Sequence, residues 1–120
     1  MSLRADYTIE IYKGDDMLIK IPVYDSDGAA YALTGTTAAY FYVKVNPDDS
    51  AYSFSRSNAA GDGITIDTTN KRILVYIIPT NTKALALGTY YWDCKIVDAT
   101  KLYTIAKGDF IVKEVVHNQP

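Results

Sequence analysis

Histidine and cysteine are almost missing from this chain, with one of each in 120 residues. A lone cysteine, Cys94, excludes an intramolecular disulfide and any metal site built from a cysteine cluster. Small β domains that fold outside the cell often carry a disulfide, so its absence leans toward folding in a reducing cytoplasm. The lone His117 lies three residues from the end. It reads as a solvated tail residue rather than a general base or metal ligand, since a serine-histidine-acid triad needs its imidazole held rigidly. Basic charge is also thin. The formal net charge is -2, and the twelve Lys and Arg are scattered, with only Lys71-Arg72 adjacent. Nucleic-acid binding needs a concentrated basic stripe, which this pattern excludes. No apolar run approaches the roughly 18 residues that span a bilayer, so no membrane partner is expected. The start lacks the charged, apolar and small-residue regions of a signal peptide. Met1-Ser2-Leu3 reads instead as a short leader, and residues 1–5 are set apart from the fold.

What remains is strand. Hydrophobic residues make up 48% and charged residues 22%, the ordinary composition of a globular domain. The length suits one domain, assigned to residues 6–115 with a tail at 116–120. Tyr7, Ile9 and Ile11 alternate with polar neighbours, the period of a half-buried strand. After the turn at Lys13-Gly14-Asp15-Asp16, Met17, Ile19, Ile21 and Val23 share a face. Pro22 cannot donate to a ladder, which assigns that strand to an edge or gives it a bulge. Phe41 and Val43 alternate with Tyr40 and Tyr42 in a third strand, and a short one is expected around Tyr52 to Ser55. Ile64 to Asp67 forms another. Arg72 to Ile78, with Ile73 and Val75 facing inward, is expected to be central. Residues 79–87 open on Pro79 and stop at Gly88, the signature of one short helical turn. Tyr90, Trp92, Cys94 and Ile96 share the inward face of the strongest strand. The last strand runs from Leu102 to about Val115, and Gly108 inside it marks a bulge or a close backbone approach. Seven or eight short strands with turns about every ten residues predict an all-β, two-sheet antiparallel sandwich. A closed barrel makes the same pattern and is the alternative. Trp92 is expected to plug the core.

Chemistry-bearing constellations are sparse. Cys94 falls among apolar residues, where a free cysteine packs as a small hydrophobe. Asp25-Ser26-Asp27-Gly28 resembles the start of a calcium loop, but Thr36 stands where the twelfth-position glutamate belongs, leaving turn chemistry as the reading. Calcium between loops carrying Asp15, Asp16, Asp62 or Asp67 has no further support. No phosphate-cradling glycine loop occurs, and every acidic residue sits in a turn or on a polar strand face. No residue group combines a nucleophile, a base and an orienting partner, so no catalytic residue, cofactor or metal is assigned and the chain is read as a non-enzyme.

Tyrosine is the anomaly, with eleven residues. Tyr12, Tyr24, Tyr40, Tyr42, Tyr76, Tyr91 and Tyr103 fall opposite the core set. Of these, Tyr40, Tyr42, Tyr76, Tyr91 and Tyr103 form the candidate interaction surface. Strand propensity accounts for part of this. Tyrosine is also enriched at protein contacts, and aromatic platforms stack sugar rings, so protein and glycan partners both stay open.

In this strand order the chain resembles small immunoglobulin-like domains of tailed-phage and prophage tail or baseplate proteins. The resemblance spans roughly residues 7–114. It rests on Ile11-Tyr12-Lys13-Gly14-Asp15-Asp16, Val23-Tyr24-Asp25-Ser26-Asp27-Gly28 and Tyr31-Ala32-Leu33-Thr34-Gly35. Further along it rests on Gly63-Ile64-Thr65-Ile66, Arg72-Ile73-Leu74-Val75, Leu87-Gly88-Thr89-Tyr90-Tyr91-Trp92-Asp93 and Gly108-Asp109-Phe110-Ile111-Val112. The stretch Ile78-Pro79-Thr80-Asn81-Thr82-Lys83-Ala84-Leu85 belongs to it as well. These motifs mark turns and strands, and bacterial surface immunoglobulin-like domains share similar ones. The resemblance implies a virion part or assembly adaptor, made in the host cytoplasm, that contacts other tail proteins or itself. It carries over no functional residues. The alternative is a carbohydrate-binding or adhesion module of a phage or bacterial surface protein.

Overall fold

A computed structural model describes residues 2–3, 5–25 and 27–114; His117, Ser26 and Val115 lie outside them. Eleven strands and one helical turn follow in order: β1 (Ser2–Leu3), β2 (Ala5–Asp6), β3 (Ile9–Tyr12), β4 (Met17–Pro22), β5 (Tyr24–Asp25), β6 (Thr36–Lys44), β7 (Phe54–Ser57), β8 (Ile64–Asp67), β9 (Arg72–Ile77), α1 (Pro79–Thr82), β10 (Gly88–Asp98) and β11 (Lys101–Lys113). Eight of the strands have four or more residues. They make a two-sheet, all-β sandwich. The larger sheet runs β2-β11-β10-β6-β7, with β3 also on β11; the smaller runs β4-β9-β8. Backbone of Ser2–Leu3 pairs with Tyr24–Asp25, so part of the expected leader lies beside β5.

Most pairings are antiparallel, as alternation and short turns require. Among the named strands the exception is the N-terminal segment, where β2 and β3 run parallel to β11. This differs from the expected all-antiparallel sandwich. Parallel neighbours need a long connection, and here the whole intervening chain supplies it. Pro22 lies on β4, an edge of the smaller sheet, where its missing donor costs no ladder bond. β9 sits at the centre of that sheet. The short strand expected around Tyr52 to Ser55 falls slightly later, at Phe54–Ser57.

The two inner faces fill the core. Phe41 and Val43 from β6, Tyr90, Trp92, Cys94 and Ile96 from β10, and Ile73 and Val75 from β9 are all buried. Trp92 stacks on Phe41 at 5.5 Å and on Tyr7 at 5.9 Å, and its N–H finds a carbonyl partner at Tyr7. One buried cation crosses between the sheets: Arg56 of β7 donates from Nε to the Tyr76 carbonyl of β9 at 2.9 Å. Its head occupies the space that a side chain at Gly63 would need.

Local chemistry sets the connections. Ala99 and Thr100 take positive φ of 51° and 70°, the backbone that lets a two-residue turn follow the strand twist between β10 and β11. Pro79 begins α1 and the Asn81 side chain accepts from the Ile78 N–H at 2.8 Å. The helical turn stops well before Gly88. Thr82 is fully buried and its hydroxyl accepts from the Gly14 N–H at 2.9 Å, pinning α1 to the β3–β4 turn.

A bulge corrects one expectation. Cys94 pairs with Ala106 but Lys95 pairs with Thr104, leaving Ile105 extra. Inserting one residue reverses which neighbours face inward, so Ile105 and Ala106 are both buried. Tyr103 therefore lies opposite Ile96 and packs against the core. It is not part of an outer tyrosine surface. Gly108 is the close approach rather than the bulge: a Cβ there would run into the Tyr7 carbonyl.

Candidate functional site

The remaining candidate tyrosines divide between two faces. Tyr40 and Tyr42 on β6 and Tyr91 on β10 alternate with the buried Phe41, Val43, Tyr90 and Trp92, so they stand on the outer face of the larger sheet. Tyr76, on β9, stands on the outer face of the smaller sheet, on the opposite side of the sandwich. Alternation identifies the outward residues of a strand but not which sheet the strand joins.

On the larger sheet the register builds a small array. Tyr91 lies opposite Lys44 on one side and Asp109 on the other; Asp93 lies opposite Tyr42 and Lys107. Two rows of three result: Lys44–Tyr91–Asp109 and Tyr42–Asp93–Lys107. These six residues line an open groove of about 450 Å³, within the range of small-ligand sites. The Tyr42 ring stacks near Tyr40 at 6.1 Å and meets Tyr52 at 5.2 Å. Partial burial, then the neighbouring Tyr40, Tyr52 and Asp93, raise the Tyr42 hydroxyl above the usual tyrosine range.

Asp93 Oδ1 is the unusual atom of the groove. Like Tyr7 Oη and Thr36 Oγ1 elsewhere in the fold, it is shielded from solvent and has no hydrogen-bond partner among the described residues. A buried carboxylate oxygen without a donor loses hydration that nothing replaces. Lys44, Lys107, Asp93 and Asp109 form no ion pair among the described residues. Sequence reading missed Lys44, Asp93, Lys107, Asp109 and Tyr52. The first four were visible as outward residues, but only the three-strand register brings them together. Tyr52 sits in a loop and carries no local signal.

The smaller sheet offers a different surface. Leu18 on β4 lies directly opposite Tyr76 on β9. Leu74 and Ile78 share that face two residues to either side of Tyr76. Leu18 is 38%, Tyr76 50% and Ile78 37% exposed, so an apolar stripe lies open beside the β4 edge.

Other candidates are occupied elsewhere. Asp25 Oδ1 accepts from the Asp27 and Ala29 N–H groups at 2.9 and 3.0 Å, which is turn chemistry. Asp62 accepts from the Ser57 hydroxyl at 2.6 Å, and Asp67 accepts from Asn70 and Arg72. Among the described residues no three His, Cys, Asp or Glu gather as metal ligands, and no helix is long and apolar enough to cross a membrane. Cys94 faces the core, where burial and then the Asp93 charge push its thiol up. What the outer faces offer chemically is stacking, hydrogen bonding and apolar contact. The chain matches no protein-family model and no curated protein sequence.

Proposed function

We propose that this domain is an immunoglobulin-like, non-enzymatic structural module of a bacteriophage or prophage virion. It serves the tail or baseplate, is made in the host cytoplasm, and works by protein–protein contact with other tail proteins or a second copy of itself. The sequence resemblance over residues 7–114 points to that setting. Two structural features support the immunoglobulin-like reading. The strand order groups β11, β10, β6 and β7 against β4, β9 and β8, as in variable-type immunoglobulin sandwiches. Tyr90, near the start of β10, donates its hydroxyl to the Ala86 carbonyl at 2.8 Å, resembling the tyrosine corner of such folds.

The observation that carries the contact role is the stripe of Leu18, Leu74, Tyr76 and Ile78. The core is already filled from both inner faces, so this outer row adds nothing to it. Apolar side chains exposed together on a solvated sheet face are a feature of protein contacts. It borders β4, which pairs only with β9 among the described residues and so keeps ladder groups for another chain. Immunogold electron microscopy of particles induced from the source strain tests the reading. Label at one fixed place on the tail is the expected result, and clean, unlabelled particles would overturn it.

A further inference from the structure

We propose that the groove on the outer face of the larger sheet is a binding site for a neutral saccharide, separate from the contact stripe on the smaller sheet. Three properties of the groove select this ligand class. Its walls include the rings of Tyr42 and Tyr91, and aromatic faces pack against the apolar C–H face of a sugar ring. Its lining includes the half-buried Asp93, whose carboxylate accepts from a sugar hydroxyl that enters the groove. Its charges cancel, because Lys44 and Lys107 stand in register with Tyr91, Asp93 and Asp109 in a two-by-three array.

That balance decides between ligands. A polyanion gains from the two lysines but meets two carboxylates, and a cationic peptide meets the reverse. A neutral polyol uses both signs, donating hydroxyls to Asp93 and Asp109 and accepting from Lys44 and Lys107. Such charge-assisted hydrogen bonds are stronger than neutral ones. The groove volume of about 450 Å³ accommodates a short oligosaccharide rather than a long enclosed chain, and its open mouth allows a polysaccharide to continue on either side. A groove half open to water and built from few residues implies weak single-site binding, which several copies on one particle strengthen by avidity.

The test is a titration of isotope-labelled protein, followed by backbone amide shifts. The probes are neutral oligosaccharides of glucose, galactose, mannose and N-acetylglucosamine, each taken to about 10 mM. At least one should shift the amides of Tyr42, Tyr91, Asp93 and Lys107 while those of Leu18 and Tyr76 stay still. Tyr91→Ala removes one exposed ring and should weaken that probe about fivefold or more. Asp93→Asn, which keeps the shape, should weaken it about tenfold. Tyr76→Ala on the opposite face should leave affinity unchanged. The proposal is overturned by silence toward every probe, by equal affinity in Tyr91→Ala and Asp93→Asn, or by groove shifts with an oligolysine or heparin fragment and none with sugars. These readouts are independent of virion location, so failure here leaves the contact role standing.

Discussion

Trp92 Nε1 donates to the backbone carbonyl of Tyr7 at 3.1 Å, reaching past the position where Gly108 has no side chain. Tyr7 in turn donates its N–H to the Lys107 carbonyl at 3.0 Å. The N-terminal segment is thus held to β11 by its backbone and to β10 by the indole, and the two attachments depend on a bare Cα at Gly108. Gly108→Ala should cost about 2–4 kcal/mol in urea unfolding, the range of a steric clash combined with a lost buried hydrogen bond. A change under about 0.5 kcal/mol would show that the segment shifts aside freely.

Alkaline stability follows from Tyr31. Its hydroxyl donates to an Asp98 carboxylate oxygen. That bond, followed by burial and the Asp98 charge, pushes Tyr31 up to about 12. An unfolded tyrosine titrates near about 10, so the native state holds this proton more tightly. The stabilisation is complete below pH 10 and is lost as pH rises through 12. Wild-type protein should lose stability across that window, and Tyr31→Phe should lose less. Identical slopes for the two proteins would remove Tyr31 from the account.

Cys94 is fully buried, and burial raises its thiol well above the ordinary range. The thiolate is the reactive form. Ellman's reagent should therefore leave the native protein unlabelled at pH 8 for as long as it stays folded, then modify one thiol per chain in guanidinium. Rapid native labelling would mean that β10 opens locally.

The bond from Tyr90 to the Ala86 carbonyl fixes the loop between α1 and β10. Tyr90→Phe keeps the ring in the core and removes only the hydroxyl, so it should destabilise by about 1 kcal/mol. Tyr91→Phe, whose hydroxyl is on the outer face, should stay within about 0.5 kcal/mol of wild type. Equal effects in chemical denaturation would argue against an anchoring role for Tyr90.

The sequence made the strands legible where alternation is unbroken. The run Tyr90, Trp92, Cys94 and Ile96 is one such case, and Pro22 correctly marked an edge. Legibility ended at long-range register. Unbroken alternation through β11 points Tyr103 outward, whereas the extra residue at Ile105 reverses it. Nothing local distinguishes that strand from an unbulged one. Tyr76 shares outward alternation with Tyr40, Tyr42 and Tyr91, but β9 and β6 belong to different sheets. Asp93 looked like an ordinary polar-face residue until pairing with β6 and β11 surrounded it. The parallel course of β3 beside β11 joins residues about a hundred apart, with no turn signal to announce it.

The contact role is tested most directly by assembly of particles carrying the double variant Leu18→Lys, Tyr76→Glu, whose opposite charges face each other across β4 and β9. Both side chains are exposed in the free domain, so the isolated variant should fold and unfold within about 1 kcal/mol of wild type. Electron microscopy with immunogold labelling should find wild-type domain at a fixed place on the tail and the folded variant missing from it, while Tyr91→Ala is incorporated normally. Incorporation of the double variant at the wild-type level would contradict the account, because the apolar stripe would then carry no contact.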